Sequence, residues 1–126
     1  MFKGIIIEES LQDPFVLSRM KIISTETETV TENFHTPWLK QWTLHTVEIP
    51  EERADEVAEA LSLTLLPEPG TWYADFYDAR THYVVFPKRV FKIDRSDASQ
   101  YEAAKAYGLD QGVPVHQLDW SSNTDA

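Results

Sequence analysis

The stretch GTWYADFYDARTHYVVFPKRVFKIDR, Gly70–Arg95, decides how this chain folds. Six of its residues before Pro87 are Trp, Tyr or Phe, and they fall in two runs on either side of DART, Asp78–Thr81. Aromatic and β-branched residues suit a pleated surface, so TWYADFYD and HYVVFP read as two strands of a central hairpin, with DART as the turn. Successive side chains of a strand point to opposite faces. Trp72, Ala74 and Phe76 therefore share the face that packs against helices, and Tyr73, Asp75 and Tyr77 share the other. RVFKID extends or follows the second strand, with Pro87 as a break or edge feature.

The rest of the fold is read outward from this hairpin. Upstream, WTLHTVEI is a strand that Pro50 ends. Proline is tolerated at a helix start because its missing N–H has no partner there, and EERADEVAEALSLTLL follows as a helix. Ala54, Val57, Ala58, Leu61 and Leu65 recur at spacings of three and four and define its buried stripe. Downstream, SDASQYEAAKAY is a second helix, with Asp97 and Gln100 as a capping pair and Gly108 as its left-handed stop. VPVHQLDW is a last strand. The N-terminal KGIIIEES and VLSRMKIISTETETVTE are two more strands, separated by a turn at QDP.

From Trp42 to Trp120 the order is strand, helix, strand, strand, helix, strand. That order predicts an α+β fold, a ferredoxin-like split β-α-β sandwich with an N-terminal two-strand extension. The right-handed crossover rule places both helices on one face of the sheet. The competing arrangement is a mixed sheet with another strand order. Residues 1–120 are expected to form a single domain and 121–126 a flexible C-terminal tail.

Composition narrows the function classes. A chain of 126 residues that is 42% hydrophobic has the size and core of one domain. It has no cysteine, which excludes a disulfide scaffold, thiol chemistry and thiolate metal sites. No apolar run reaches the length of a membrane span or a secretory signal, so a cytoplasmic protein is expected. The formal charge of −10 opposes binding to nucleic acid or to an anionic membrane. The charge is uneven, however. Arg80, Lys88, Arg89, Lys92 and Arg95 stand against a single acid, Asp94, between residues 80 and 95. Arg80, Lys88, Arg89 and Lys92 are the candidates for receiving a small anion; the plainer account of such a stripe is surface ion pairing.

No nucleophile elbow, phosphate loop or dinucleotide turn is present, and no metal or cofactor is expected. Asp75, His82 and His116 are the weak candidates for acid–base chemistry, because an acid or histidine on a bulky strand face can have its proton affinity tuned by burial. Each has an ordinary alternative as a hydrogen-bonded core or edge residue. If the fold gathered His45, His82 and His116 beside Asp75 or Asp119, they would form a site of nitrogen and oxygen ligands.

Two readings follow. In the preferred one the chain is a non-enzymatic domain. It forms a homodimer, or binds a protein partner, through an aromatic sheet face carrying Trp42, Tyr73, Tyr77 and Trp120, since exposed aromatic patches mark interfaces. In the alternative it is a small-molecule-binding domain or small enzyme with a His/Asp pocket beside a basic, anion-receiving patch.

Overall fold

The computed structural model describes residues 1–29, 41–66 and 72–113. The expected final strand, with His116, Asp119 and Trp120, and the expected tail at 121–126 lie outside the described residues. Among the described residues six strands form one antiparallel sheet: β1 Phe2–Ile7, β2 Lys21–Thr29, β3 Gln41–Ile49, β4 Ala74–Tyr77, β5 Thr81–Phe86 and β6 Arg89–Asp94. Two α-helices accompany them, α1 Ala54–Thr64 and α2 Ala98–Asp110. The domain is thus α+β, as the alternation of patterns implies.

The strand order is β2-β3-β1-β4-β5-β6. This differs from the split β-α-β expectation, which would set β3 beside β5. Instead β1 lies between β3 and β4 and pairs antiparallel with both. The N-terminal strand is therefore a central member of the sheet and only β2 extends it. The cause is legible in β1 itself. Phe2, Gly4 and Ile6 are buried on one face, and Gly4 lets the neighbouring backbone come close: a Cβ there would stand 2.3 Å from the Asp75 carbonyl oxygen.

VLSRMKIISTETETVTE is also not one strand. Its first part is a 3₁₀ helix, Pro14–Arg19, opened by Asp13, whose side chain accepts from the Phe15 N–H. That helix buries Val16 and Leu17.

The two sheet faces are covered by different helices. Phe2, Ile6, Val47, Ile49, Ala74, Phe76, Tyr83 and Val85 pack with Ala54, Val57, Ala58 and Leu61 of α1 and with the 3₁₀ helix. Trp72 joins this cluster, and the expected buried stripe of α1 is buried in full. Val84, Phe86 and Ile93, which alternate with those residues along β5 and β6, pack instead with Tyr101 and Ala104 of α2 and with Val113. The helices therefore sit on opposite faces. The handedness rule binds a helix that joins two parallel strands. That describes α1, which links β3 to β4. Among the described residues α2 follows a hairpin and joins no second strand, so it is free to take the other face.

Three local features fix the hairpin end. Pro87 and Lys88 form a two-residue turn, with Phe86 opposite Arg89 and Lys88 at φ 62°. Pro87 thus makes the turn rather than a break. The Lys88 N–H donates to the Ser62 carbonyl at 2.7 Å, tying the tip to α1. Asp97 caps α2 by accepting from the Ser99 N–H. Gly108 does not end α2, which runs on to Asp110; the positive φ falls at Gly112, 93°.

Candidate functional site

The chemistry gathers where β4, β5 and β6 meet the start of α2. Asp78 closes the β4–β5 hairpin, its Oδ1 accepting from the N–H groups of Arg80 and Thr81, both at 2.8 Å. Short acidic side chains favour turns through such bonds. Burial works against the Asp78 carboxylate, but these two donors outweigh it and hold the pKa below the usual value. The tight turn sets Tyr77 opposite His82, which makes Asp75 and His82 diagonal neighbours on the second sheet face.

His82 is 4% exposed and both of its ring nitrogens are engaged. Nε2 lies 2.7 Å from Asp75 Oδ2, and Nδ1 lies 2.9 Å from the Tyr101 hydroxyl. Burial pushes the Tyr101 phenol up, while the charge and hydrogen bond of Arg95 pull it down; the net shift is upward. The Arg95 guanidinium donates through Nη1 to the Asp78 carbonyl and lies 5.2 Å from the centre of the Tyr77 ring. The Arg95 N–H donates to the Arg80 carbonyl at 3.0 Å. Asp75, His82 and Tyr101 form a continuous chain of hydrogen bonds, and Arg95 stands at its end, close enough to act on the Tyr101 phenol.

This chain abuts a cleft of about 610 Å³ lined by Ala79, Arg80, Thr81, Lys92, Ile93, Asp94, Arg95, Ser96 and Gln100. Three basic residues and one acid thus line it. The hydroxyl and N–H of Ser96 lower the pKa of the Asp94 carboxyl. Lys92 is 3.3 Å from Asp55 and lies over the Tyr83 ring. Its pKa is raised by hydrogen bonds to Tyr83 and Asp55.

The expected anion-binding residues separate into two groups. Arg80 and Lys92 line the cleft. Lys88 and Arg89 sit at the opposite end of the β5–β6 hairpin, with Arg89 about 10 Å along β6 from Lys92 at roughly 3.4 Å per strand residue. Arg89 there lies over Phe91 and Tyr107, 4.8 and 5.4 Å from the ring centres.

The interface candidates also divide. Trp42 is half-buried with its ring 5.5 Å from Trp72, and Tyr73 is half-buried with its ring 5.9 Å from Phe86. Tyr77 is exposed, at 38%. Of the acid–base candidates, Asp75 and His82 come together. His45 and His82 do not meet, because they lie on opposite faces of the sheet. His45 has its own partners, Thr25 Oγ1 at 2.8 Å and Glu8 Oε1 at 2.9 Å. Among the described residues no group of three or more acids and histidines is placed to hold a metal ion.

Arg95 and Tyr101 were not among the expected site residues. Tyr101 carries no signal in sequence, since its role depends on α2 crossing the second face. Arg95 had one: it belongs to the basic stripe between residues 80 and 95.

No protein-family model, curated protein or solved structure matches the chain. No helix among the described residues is long and apolar enough to cross a membrane.

Proposed function

We propose that this domain binds a small anionic molecule in the cleft at the β4–β5 turn. The observation that carries this reading is that Arg80, Lys92 and Arg95 line one cleft of about 610 Å³, in a chain whose formal charge is −10, with the Lys92 ammonium shared with Asp55. A concave site with an excess of one sign of charge, here three basic residues against Asp94, concentrates the opposite sign, and a volume of this order suits a small organic ligand. The neighbouring Asp75–His82 pair favours binding over acid–base catalysis. A general base needs a lone pair that can reach the ligand, and both nitrogens of His82 already hold partners.

Titration of ¹⁵N-labelled protein with small phosphates and carboxylates tests this directly. Shifts should concentrate on residues 79–81 and 92–96, weaken with added salt, and vanish in an Arg80→Ala/Arg95→Ala variant. Shifts centred on Lys88 and Arg89, or none, would sink the reading.

Self-association through the second sheet face has one observation in its favour. Ile5, on a central strand, is 53% exposed on the same face as Tyr77. Sedimentation of the protein and of Ile5→Lys would separate the readings: a dimer that this change dissolves supports the contact, and a monomer at micromolar concentration removes it.

A further inference from the structure

We infer that the buried Asp75–His82–Tyr101 chain is a positioning device. It orients the Arg95 guanidinium to seat an oxyanion group, a carboxylate or phosphate, of the molecule bound in the cleft. This rests on the cleft being the binding site.

The inference follows from the direction of each hydrogen bond. An ionised carboxylate only accepts, so Asp75 fixes the proton of the His82 ring on Nε2, 2.7 Å away. A neutral imidazole with one nitrogen protonated accepts at the other. Nδ1 therefore accepts a hydrogen bond from the Tyr101 hydroxyl across 2.9 Å. With its hydrogen directed at His82, the Tyr101 oxygen presents lone pairs toward Arg95, whose guanidinium is placed beside it by the Asp78 carbonyl and the Tyr77 ring and acts on the phenol. Each link leaves one polarity open to the next, and the chain ends as an acceptor aimed at a guanidinium.

The other holds on Arg95 agree with this role. The Asp78 carbonyl accepts from Nη1, and the face of Tyr77 stacks near the guanidinium carbon at 5.2 Å. The Asp78 carbonyl, the Tyr77 ring and the Tyr101 hydroxyl come from β4, the start of its turn and α2. They restrain a side chain that otherwise has many rotamers, and they do so at the wall of the cleft. A restrained planar guanidinium matches an oxyanion with two parallel donors, which a flexible ammonium does not. Preorganising it removes an ordering cost that binding would otherwise carry.

The test uses the full chain, with inorganic phosphate and acetate as separate probes. The readouts are the amide spectrum and the Arg95 Nε–Hε resonance. In the wild type that resonance should be sharp and should move with at least one probe; which probe moves it assigns the phosphate or carboxylate class. Tyr101→Phe, which removes the hydroxyl that donates to His82 and faces Arg95 as an acceptor, should broaden the resonance and weaken the probe roughly tenfold, the scale of a hydrogen bond to a charged group. In an Arg95→Ala background the same change should add nothing. His82→Leu should match Tyr101→Phe, and His82→Gln, which keeps a donor and an acceptor, should restore part of the loss.

Probe binding at residues 79–81 and 92–96 with no change in Tyr101→Phe overturns the positioning role and leaves the cleft as the binding site. Absence of any probe effect on those residues overturns the cleft reading and the oxyanion assignment together. A loss of probe binding from Tyr101→Phe that persists in the Arg95→Ala background also refutes the inference, because the effect would then bypass Arg95.

Discussion

Two buried histidines of this sheet are wired alike and sit in different surroundings. His45 on β3 and His82 on β5 each place Nε2 against a carboxylate and Nδ1 against a hydroxyl, Glu8 and Thr25 in one case, Asp75 and Tyr101 in the other. The shared wiring answers a shared need, since a buried imidazole must satisfy one donor and one acceptor. The difference lies at the ends. Thr25 is exposed on β2 and the Glu8 side chain is 46% exposed, so water can replace either partner of His45. Tyr101 is buried and the Asp75 side chain is 31% exposed, and Tyr101 continues to Arg95 and the cleft. The same local solution serves the sheet alone in one place and, under the reading proposed here, a ligand site in the other.

The largest effect is expected at Gly4, on the strand that separates the two histidine clusters. β1 pairs with β3, which carries His45, and with β4, which carries Asp75. A Cβ on residue 4 would meet the Asp75 carbonyl oxygen at 2.3 Å and the Phe76 Cβ at 2.7 Å. Gly4→Ala should therefore destabilise by about 3 kcal/mol, the upper part of the overpacking range. The strain falls on the β4 side, so the His82 ring resonances should move and those of His45 should hold. Equal disturbance of both would show that the two clusters are not independent.

Removing each histidine comes next. His82→Leu strands a buried hydroxyl and a half-buried carboxylate and should cost about 3 kcal/mol, whereas His45→Leu, whose partners regain water, should cost about 1 kcal/mol. Urea unfolding of the two variants side by side measures this; equal costs would erase the distinction. Smaller still is the loss of the hydroxyls. Tyr101→Phe should cost about 1.5 kcal/mol and Thr25→Val less than about 0.5 kcal/mol.

The sequence makes the contrast between the histidines only partly readable. Alternation in TWYADFYD correctly separates Trp72, Ala74 and Phe76 from Asp75 and Tyr77, because a strand's period is fixed by its own backbone. The α1 stripe is legible for the same reason. Asp75 and His82 were reachable together, since a two-residue turn at Ala79–Arg80 makes them diagonal neighbours. What escaped depends on contacts distant in the chain. The insertion of β1 between β3 and β4 rests on Gly4 meeting Phe76, and the place of α2 on the second face rests on Tyr101 and Ala104 meeting Val84 and Ile93. With α2 assigned to the wrong face, Tyr101 could not be joined to His82, nor Arg95 to Tyr101. The uncovered aromatic face expected from a two-layer fold is, over β5 and β6, covered by the chain's own helix.

The mildest test of the comparison is acid. Asp78, Asp94 and Asp97 all stand at the His82 end, and all three have folded pKa values lowered below the ordinary 3.8. For Asp78 the N–H groups of Arg80 and Thr81 overcome an opposing burial effect. For Asp94 and Asp97 the hydroxyl and N–H of Ser96 and of Ser99 lower the value. A depressed folded pKa contributes stability that is fully present above the unfolded value and is lost as pH falls through the folded one. The loss should therefore begin below the ordinary aspartate value and be absent at neutral pH. These carboxylates close the β4–β5 turn, brace the β6–α2 junction and cap α2. Hydrogen-exchange protection, followed from about pH 5 to about pH 3, should then fall at residues 78–82 and 96–101 before it falls at residues 42–47. Simultaneous loss at both sites would mean that acid acts on the sheet as a whole, and that the His82 end has no separate weakness.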